Sequence, residues 1–162
     1  LDRGVAERVA AAQDRLPITD RLSAEIARRL QGLRPETRAL WGKMDVAQML
    51  AHCQVAPQVA LGEVTLKRGL IGILFGGLAR KKLTAPGPFG KNLPTGPEFR
   101  ITDRRDFAAE KAALLALVQR FQRAGPNGLT KKPHPFFGAL RSGEWDTLQW
   151  KHLDHHLRQF GA

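Results

Sequence analysis

The stretch His152-Leu153-Asp154-His155-His156-Leu157-Arg158-Gln159-Phe160 decides how the chain is read. It holds three of the five histidines among the 162 residues. On an α-helix, side chains four residues apart share one face, about 6 Å apart. His152 and His156 can therefore reach one metal ion, although two ligands on one helix rarely make a whole site. A third has to come from elsewhere. The chain offers His52, inside another apolar-periodic run, and His134, in a Pro-rich loop.

Outward from this stretch, the spacing predicts a helix over 142–160, with Ser142 as N-cap. Its inner face carries Trp145, Leu148, His152, His156 and either Gln159 or Phe160. A helix over 103–123, N-capped by Asp103, presents Phe107, Leu114, Val118 and Phe121, and Gly125-Pro126-Asn127-Gly128 stops it. A third run, 45–62, starts at Asp45 with Gln48 in the capping-box position, and Met49, Cys53 and Ala56 form its stripe with His52 at the margin. Gln48, four residues before His52, is expected to orient its imidazole, and Pro57 to kink the helix one turn later. Leu22, Ile26, Leu30 and Leu33 mark a helix over 20–33, preceded by a short lead-in over 4–15 that Pro17 interrupts. No run alternates with a period of two. The expected fold is all-α: a four-helix bundle in one domain, 1–162, with a long crossover between the second and third helices.

That crossover contains the oddest segment, 66–83. An apolar, glycine-bearing core from Gly69 to Ala79 is bracketed by Lys67-Arg68 and Arg80-Lys81-Lys82. It is too short to span a bilayer, which takes about 20 residues. An accessory helix, a lid, or a subunit contact within a homodimer is the expected use. Lying on a membrane interface is the lesser alternative, and no membrane partner is expected.

The length suits a single domain whose core needs no disulfide, and with one cysteine none can form within the chain. A lone cysteine fits a reducing compartment, and nothing at the N-terminus reads as a signal peptide, so the expected location is cytoplasmic. The net charge is +11, from 26 basic and 15 acidic residues. Such a balance attracts polyanions without selecting any. The basic residues are scattered rather than interleaved with aromatics and there is no tyrosine, so no specific nucleic-acid partner is expected.

Metal sites in bundles are built from inward-facing side chains of facing helices. His52, His152 and His156 would supply three neutral imidazoles and leave a fourth position open, as catalytic zinc requires. A bare HxxxH pair also describes exposed histidines that a helix C-terminus favours through its dipole.

The segment HLDHHLRQF (152–160) resembles the last-helix HxxxH motif of the DinB-like (YfiT-like) metalloprotein superfamily, in which a further histidine precedes the second ligand, as His155 does here. WGKMDVAQMLAHC (41–53) resembles the second-helix segment that supplies the other ligand. HPFFGALRSGEW (134–145) together with KHLDHHLRQFG (151–161) is similar to an uncharacterised subfamily within it. The resemblance covers roughly 20–160. It implies His52, His152 and His156 as ligands, and His155 as a near neighbour that is either a structural contact or a catalytic proton carrier. His134 matches a loop motif that has no assigned role. Cys53 points about 100° away from His52 around the helix and reads as core. The metal implied is divalent: zinc first, with nickel or iron as alternatives.

Some relatives in that superfamily are transferases that hold a low-molecular-weight thiol as its thiolate. The expected function is accordingly metal-dependent transfer of a small-molecule thiol to an electrophile, with hydrolysis as a variant. The alternatives are a non-catalytic metal-bearing scaffold that uses 66–83 as an interaction surface, and, behind it, a polyanion-binding module.

Overall fold

The computed structural model describes residues 18–67, 69–93 and 95–162, so the lead-in expected at 4–15 lies outside the described residues. Among the described residues there are five α-helices: α1 (Ile18–Gly32), α2 (Val46–Ala60), α3 (Leu70–Thr84), α4 (Phe107–Ala124) and α5 (Ser142–Gln159). No strand occurs among the described residues. The expected all-α bundle is what forms, and 66–83 supplies a fifth helix within the crossover. Short 3-10 turns at Pro97–Phe99 and Pro126–Gly128 complete the connections.

Helix α2 begins where expected. Asp45 accepts the Gln48 backbone N–H at 2.8 Å, and Gln48 Oε1 accepts the Asp45 N–H at 3.1 Å, so two otherwise orphaned donors are satisfied reciprocally. The starts of α4 and α5 differ from expectation. Asp106, not Asp103, caps α4, accepting from Ala109 N at 2.8 Å. Asp103 is engaged elsewhere: its carbonyl accepts from Gln48 Nε2 at 3.1 Å and its carboxylate lies 3.0 Å from Arg105 Nε. Arg141 rather than Ser142 occupies the cap position of α5, because Glu144 Oε2 reaches back to the Arg141 N–H at 2.8 Å.

The core falls into two clusters along the bundle. One joins Ile26 and Leu30 of α1, Met49, Leu50 and Cys53 of α2, Leu114 and Val118 of α4, and Leu153 and Leu157 of α5. Each fully buried leucine of this kind contributes about 2 kcal/mol by leaving water. The other joins Val59 and Ala60 with Phe121, Trp145 and Leu148, and takes Leu83 from α3. Helix α3 is thus docked onto α5. Arg80 grips Glu144 with two bonds of 2.7 Å, and Lys151 Nζ donates to the Ala85 carbonyl. The paired guanidinium holds the Glu144 carboxyl down to about 2. The packing of α2 against α5 brings the second helix face to face with the last, and the three-histidine arrangement arises at that seam.

Candidate metal centre

His52 comes from α2, and His152 and His156 come from successive turns of α5. Their rings form a nearly regular triangle: centroids are 5.0 Å apart for His52–His152, 4.7 Å for His52–His156 and 4.8 Å for His152–His156. One ring nitrogen from each lies within 4.8 Å of the other two. His52 Nε2 and His152 Nε2 approach to 3.0 Å.

The neighbours determine which nitrogens carry protons. The Phe99 carbonyl can only accept, so the 2.8 Å contact with His52 Nδ1 fixes the proton there and leaves a lone pair on Nε2. The same holds for His156. Gln159 Nε2 donates to the Trp41 carbonyl at 2.7 Å, which turns Gln159 Oε1 toward His156 Nδ1 at 2.8 Å. The backbone reinforces this relay, since Leu40 N donates to the Gln159 carbonyl at 2.7 Å. Gly42, at φ +86°, leaves room for it; a Cβ there would lie 2.4 Å from Gln159 Nε2.

These bonds leave inward-facing Nε2 lone pairs on His52 and His156. His52 and His156 are 6% and 8% exposed, and burial lowers all three pKa values, that of His156 to about 3. For His152 and His156 the neighbouring imidazoles push further in the same direction. The rings are therefore neutral at physiological pH, the form that ligates. Two Nε2 lone pairs 3.0 Å apart repel unless a proton or a cation stands between them. With a proton on His152 Nε2, its Nδ1 becomes a buried acceptor, and that atom has no hydrogen-bond partner among the described residues. The donor set suits a divalent cation of intermediate softness.

The sequence-derived triad His52, His152 and His156 is thus brought together. Gln48, expected to orient His52, does not; its amide is taken by Asp45 and Asp103, and the Phe99 carbonyl holds the ring instead. His155 stands beside the triangle, half-buried, with its ring 4.9 Å from His156 and against Trp41 and Phe89. Burial lowers its pKa, opposed by a backbone bond at Phe89 and by the Asp154 charge. His134 lies apart and closes its own loop. Its Nδ1 accepts the N–H groups of Phe136 and Phe137 at 3.0 and 3.1 Å, its ring packs on Trp145, and burial lowers its pKa to about 4. Cys53 is wholly buried against Met49, and desolvation raises its thiol pKa far above the ordinary value.

Two supporting residues were missed from the sequence, Phe99 and Gln159. Phe99 acts through its backbone and left no signal. Gln159, three residues after His156, reads only as an alternative to Phe160 on the inner face and has no role there, although (i, i+3) spacing permits the contact. A third feature braces the same turn: Asp154, between His152 and His156 of α5, accepts from Arg29 and Arg158 at 2.8 Å each. A cavity of about 30 Å³ lined by Ser23, Pro57, Asp146 and Gln149, among others, includes none of the histidines.

No curated protein and no solved structure matches the chain. A family model matches residues 12–162, nearly the whole sequence, and it covers every residue of the triangle. The chain belongs to the family described as Protein of unknown function (DUF1569).

Proposed function

We propose that the protein is a divalent-metal-binding bundle of the DinB-like kind, with His52, His152 and His156 as the ligands. The observation that carries this reading is the convergence of three neutral imidazoles whose Nε2 lone pairs at His52 and His156 are set by hydrogen bonds on the opposite nitrogen. The HLDHHLRQF motif supports the superfamily assignment. Zinc is the first candidate, followed by nickel and iron.

The chemistry proposed is transfer of a small-molecule thiol to an electrophile. A divalent cation held by His52, His152 and His156 would supply a Lewis acid that favours the thiolate form of a small-molecule thiol. The chain's own residues do the rest. His52 and His156 keep their ring planes through Phe99 and Gln159, which preserves the geometry without further ordering. His155, neutral and within a ring's width of His156, is placed to take the thiol proton and return it. Trp41 and Phe89 flank His155 and give the electrophile an apolar wall.

A metal-bearing scaffold is the second reading, favoured by the burial of His52 and His156, which restricts approach to the His152 and His155 side. The experiment that separates the two begins with elemental analysis of protein purified without an affinity tag. Glutathione, bacillithiol, mycothiol or cysteine is then added to cobalt-loaded protein, and conjugation of a generic electrophile is followed. The transferase reading expects a new near-ultraviolet charge-transfer band, together with turnover that His52→Ala abolishes. Metal uptake without either response leaves the scaffold.

A further inference from the structure

Helix α3 is built the opposite way round from the other helices. Its inward side carries Gly72, Gly76 and Leu83, and a Cβ on Gly72 would lie 2.5 Å from the Pro135 carbonyl oxygen and 3.1 Å from Phe136 Cα. Only a residue without a side chain lets the helix lie this close to the 134–138 loop. The large apolar residues point the other way. Leu70, Ile73, Leu74, Phe75 and Leu78 are between 56% and 76% exposed. Leu70, Leu74 and Leu78 follow one stripe at four-residue spacing, Ile73 and Phe75 widen it, and Lys81 continues it. An apolar face of this size, rimmed by charge, marks a site of interaction.

The free charges at its two ends are basic. Lys67 precedes the helix, Lys81 and Lys82 end it, and Lys131 and Lys132 are exposed on the adjoining loop, which Lys132 ties to Thr65 at 3.2 Å. The helix has no acidic residue. A second copy pressed against this face would bring lysines near lysines with no carboxylate on α3 to meet them, and each chain carries +11. Crossing a bilayer is not available, since no helix among the described residues is long and apolar enough. Lying along its surface requires no such length. At 15 residues, about 22 Å, α3 can sink its leucines to the level of the acyl chains while its lysines stay among the headgroups.

We propose that the outward face of α3 is a docking surface for an anionic lipid membrane. Its apolar stripe enters the interface and Lys67, Lys81 and Lys82 engage lipid phosphates. The folded body stays above the membrane, anchored to α3 by Leu83 and the Arg80–Glu144 pair.

The test is cosedimentation of the full chain with phosphatidylcholine vesicles, with and without phosphatidylglycerol. Binding is expected only to the anionic vesicles and is expected to weaken with salt. Lys81→Glu combined with Lys82→Glu should lower the partition at least about thirtyfold, taking the usual increment for each basic residue at such a surface. Leu74→Ser combined with Leu78→Ser should lower it at least about tenfold. These side chains are exposed, so the variants retain the fold, which an unchanged melting curve verifies. Equal binding to neutral vesicles, or indifference to the lysine changes, would overturn the proposal. So would an absence of vesicle binding alongside a dimer in sedimentation equilibrium that the leucine variant dissolves, which would assign the face to a second copy. Capture of an acidic amphipathic peptide in place of vesicles would assign it to a protein partner.

Discussion

His156 donates its Nδ1–H to Gln159 Oε1 across 2.8 Å, and Gln159 can present that oxygen because its amide nitrogen is committed to the Trp41 carbonyl. The connector before α2 therefore controls the tautomer of a histidine near the end of α5. Replacing Gln159 with Met keeps the bulk and removes the acceptor. Metal affinity is expected to fall about ten- to a hundredfold, the usual consequence of losing a ligand's outer partner. Competition with a chromogenic chelator measures it. An unchanged affinity would remove Gln159 from the site.

The ligand set is checked by single substitutions. His52→Ala, His152→Ala and His156→Ala should each leave bound metal near zero by elemental analysis. His155→Ala and His134→Ala should keep it, because His155 lies outside the triangle and His134 is occupied with its own loop. Retention in His156→Ala with loss in His155→Ala would mean that α5 is rotated by one residue.

Asp154 is 5% exposed and shared between Arg29 and Arg158, and Arg29 also donates to the Ala162 carbonyl at 2.8 Å. Asp154→Ala leaves a buried guanidinium without its counterion. The expected loss is about 3–5 kcal/mol in urea unfolding, well above that of a surface pair. Replacing Arg29 and Asp154 together with apolar residues should recover much of it.

His134 gives the metal-free protein an acid-sensitive loop. Its folded pKa, about 4, lies below the ordinary 6.5, so the unfolded chain binds the proton more readily than the native one. Its contribution is therefore complete above pH 6.5 and is lost as pH falls toward 4, reaching about 2 kcal/mol of lost stability by pH 5. His134→Asn keeps an acceptor for the Phe136 and Phe137 N–H groups without titrating in this range. Its stability should be flatter between pH 6.5 and pH 4 than that of the wild type, by close to one proton's worth of slope, as read from urea midpoints.

Cys53 is expected to resist thiol reagents in the native state and to react only as fast as the protein opens. Its exposure is 0% and burial disfavours the thiolate. Rapid labelling without unfolding would contradict its place in the core. Cys53→Ser should weaken stability while leaving the metal stoichiometry unchanged.

Much of the site is legible in the sequence. Asp45 and Gln48 form their reciprocal cap from local sequence alone, and the HxxxH spacing placed His152 and His156 on one face because helical periodicity requires it. Asp103 reads as the start of its helix from local sequence, yet Asp106 caps it. The choice between them was made by Gln48 and Arg105, contacts that only the assembled chain provides. The Phe99 carbonyl stands 47 residues from His52, and a backbone atom leaves no compositional trace. The apolar pattern of 66–83 leaves a helix, a lid and a subunit contact open and says nothing of orientation, because the close approach at Gly72 reverses the usual assignment of large residues to the inside.

His52 and His152 meet across a sequence separation of 100 residues. Closing so long a loop is unfavourable until the intervening helices are in place, and contacts of this range slow folding. The triangle consequently cannot exist in a partly assembled chain. A cation that binds it recognises only the finished bundle and raises the melting temperature as its concentration rises. Cobalt absorbance followed during refolding would then act as a clock, appearing when α5 docks on α2 and not before.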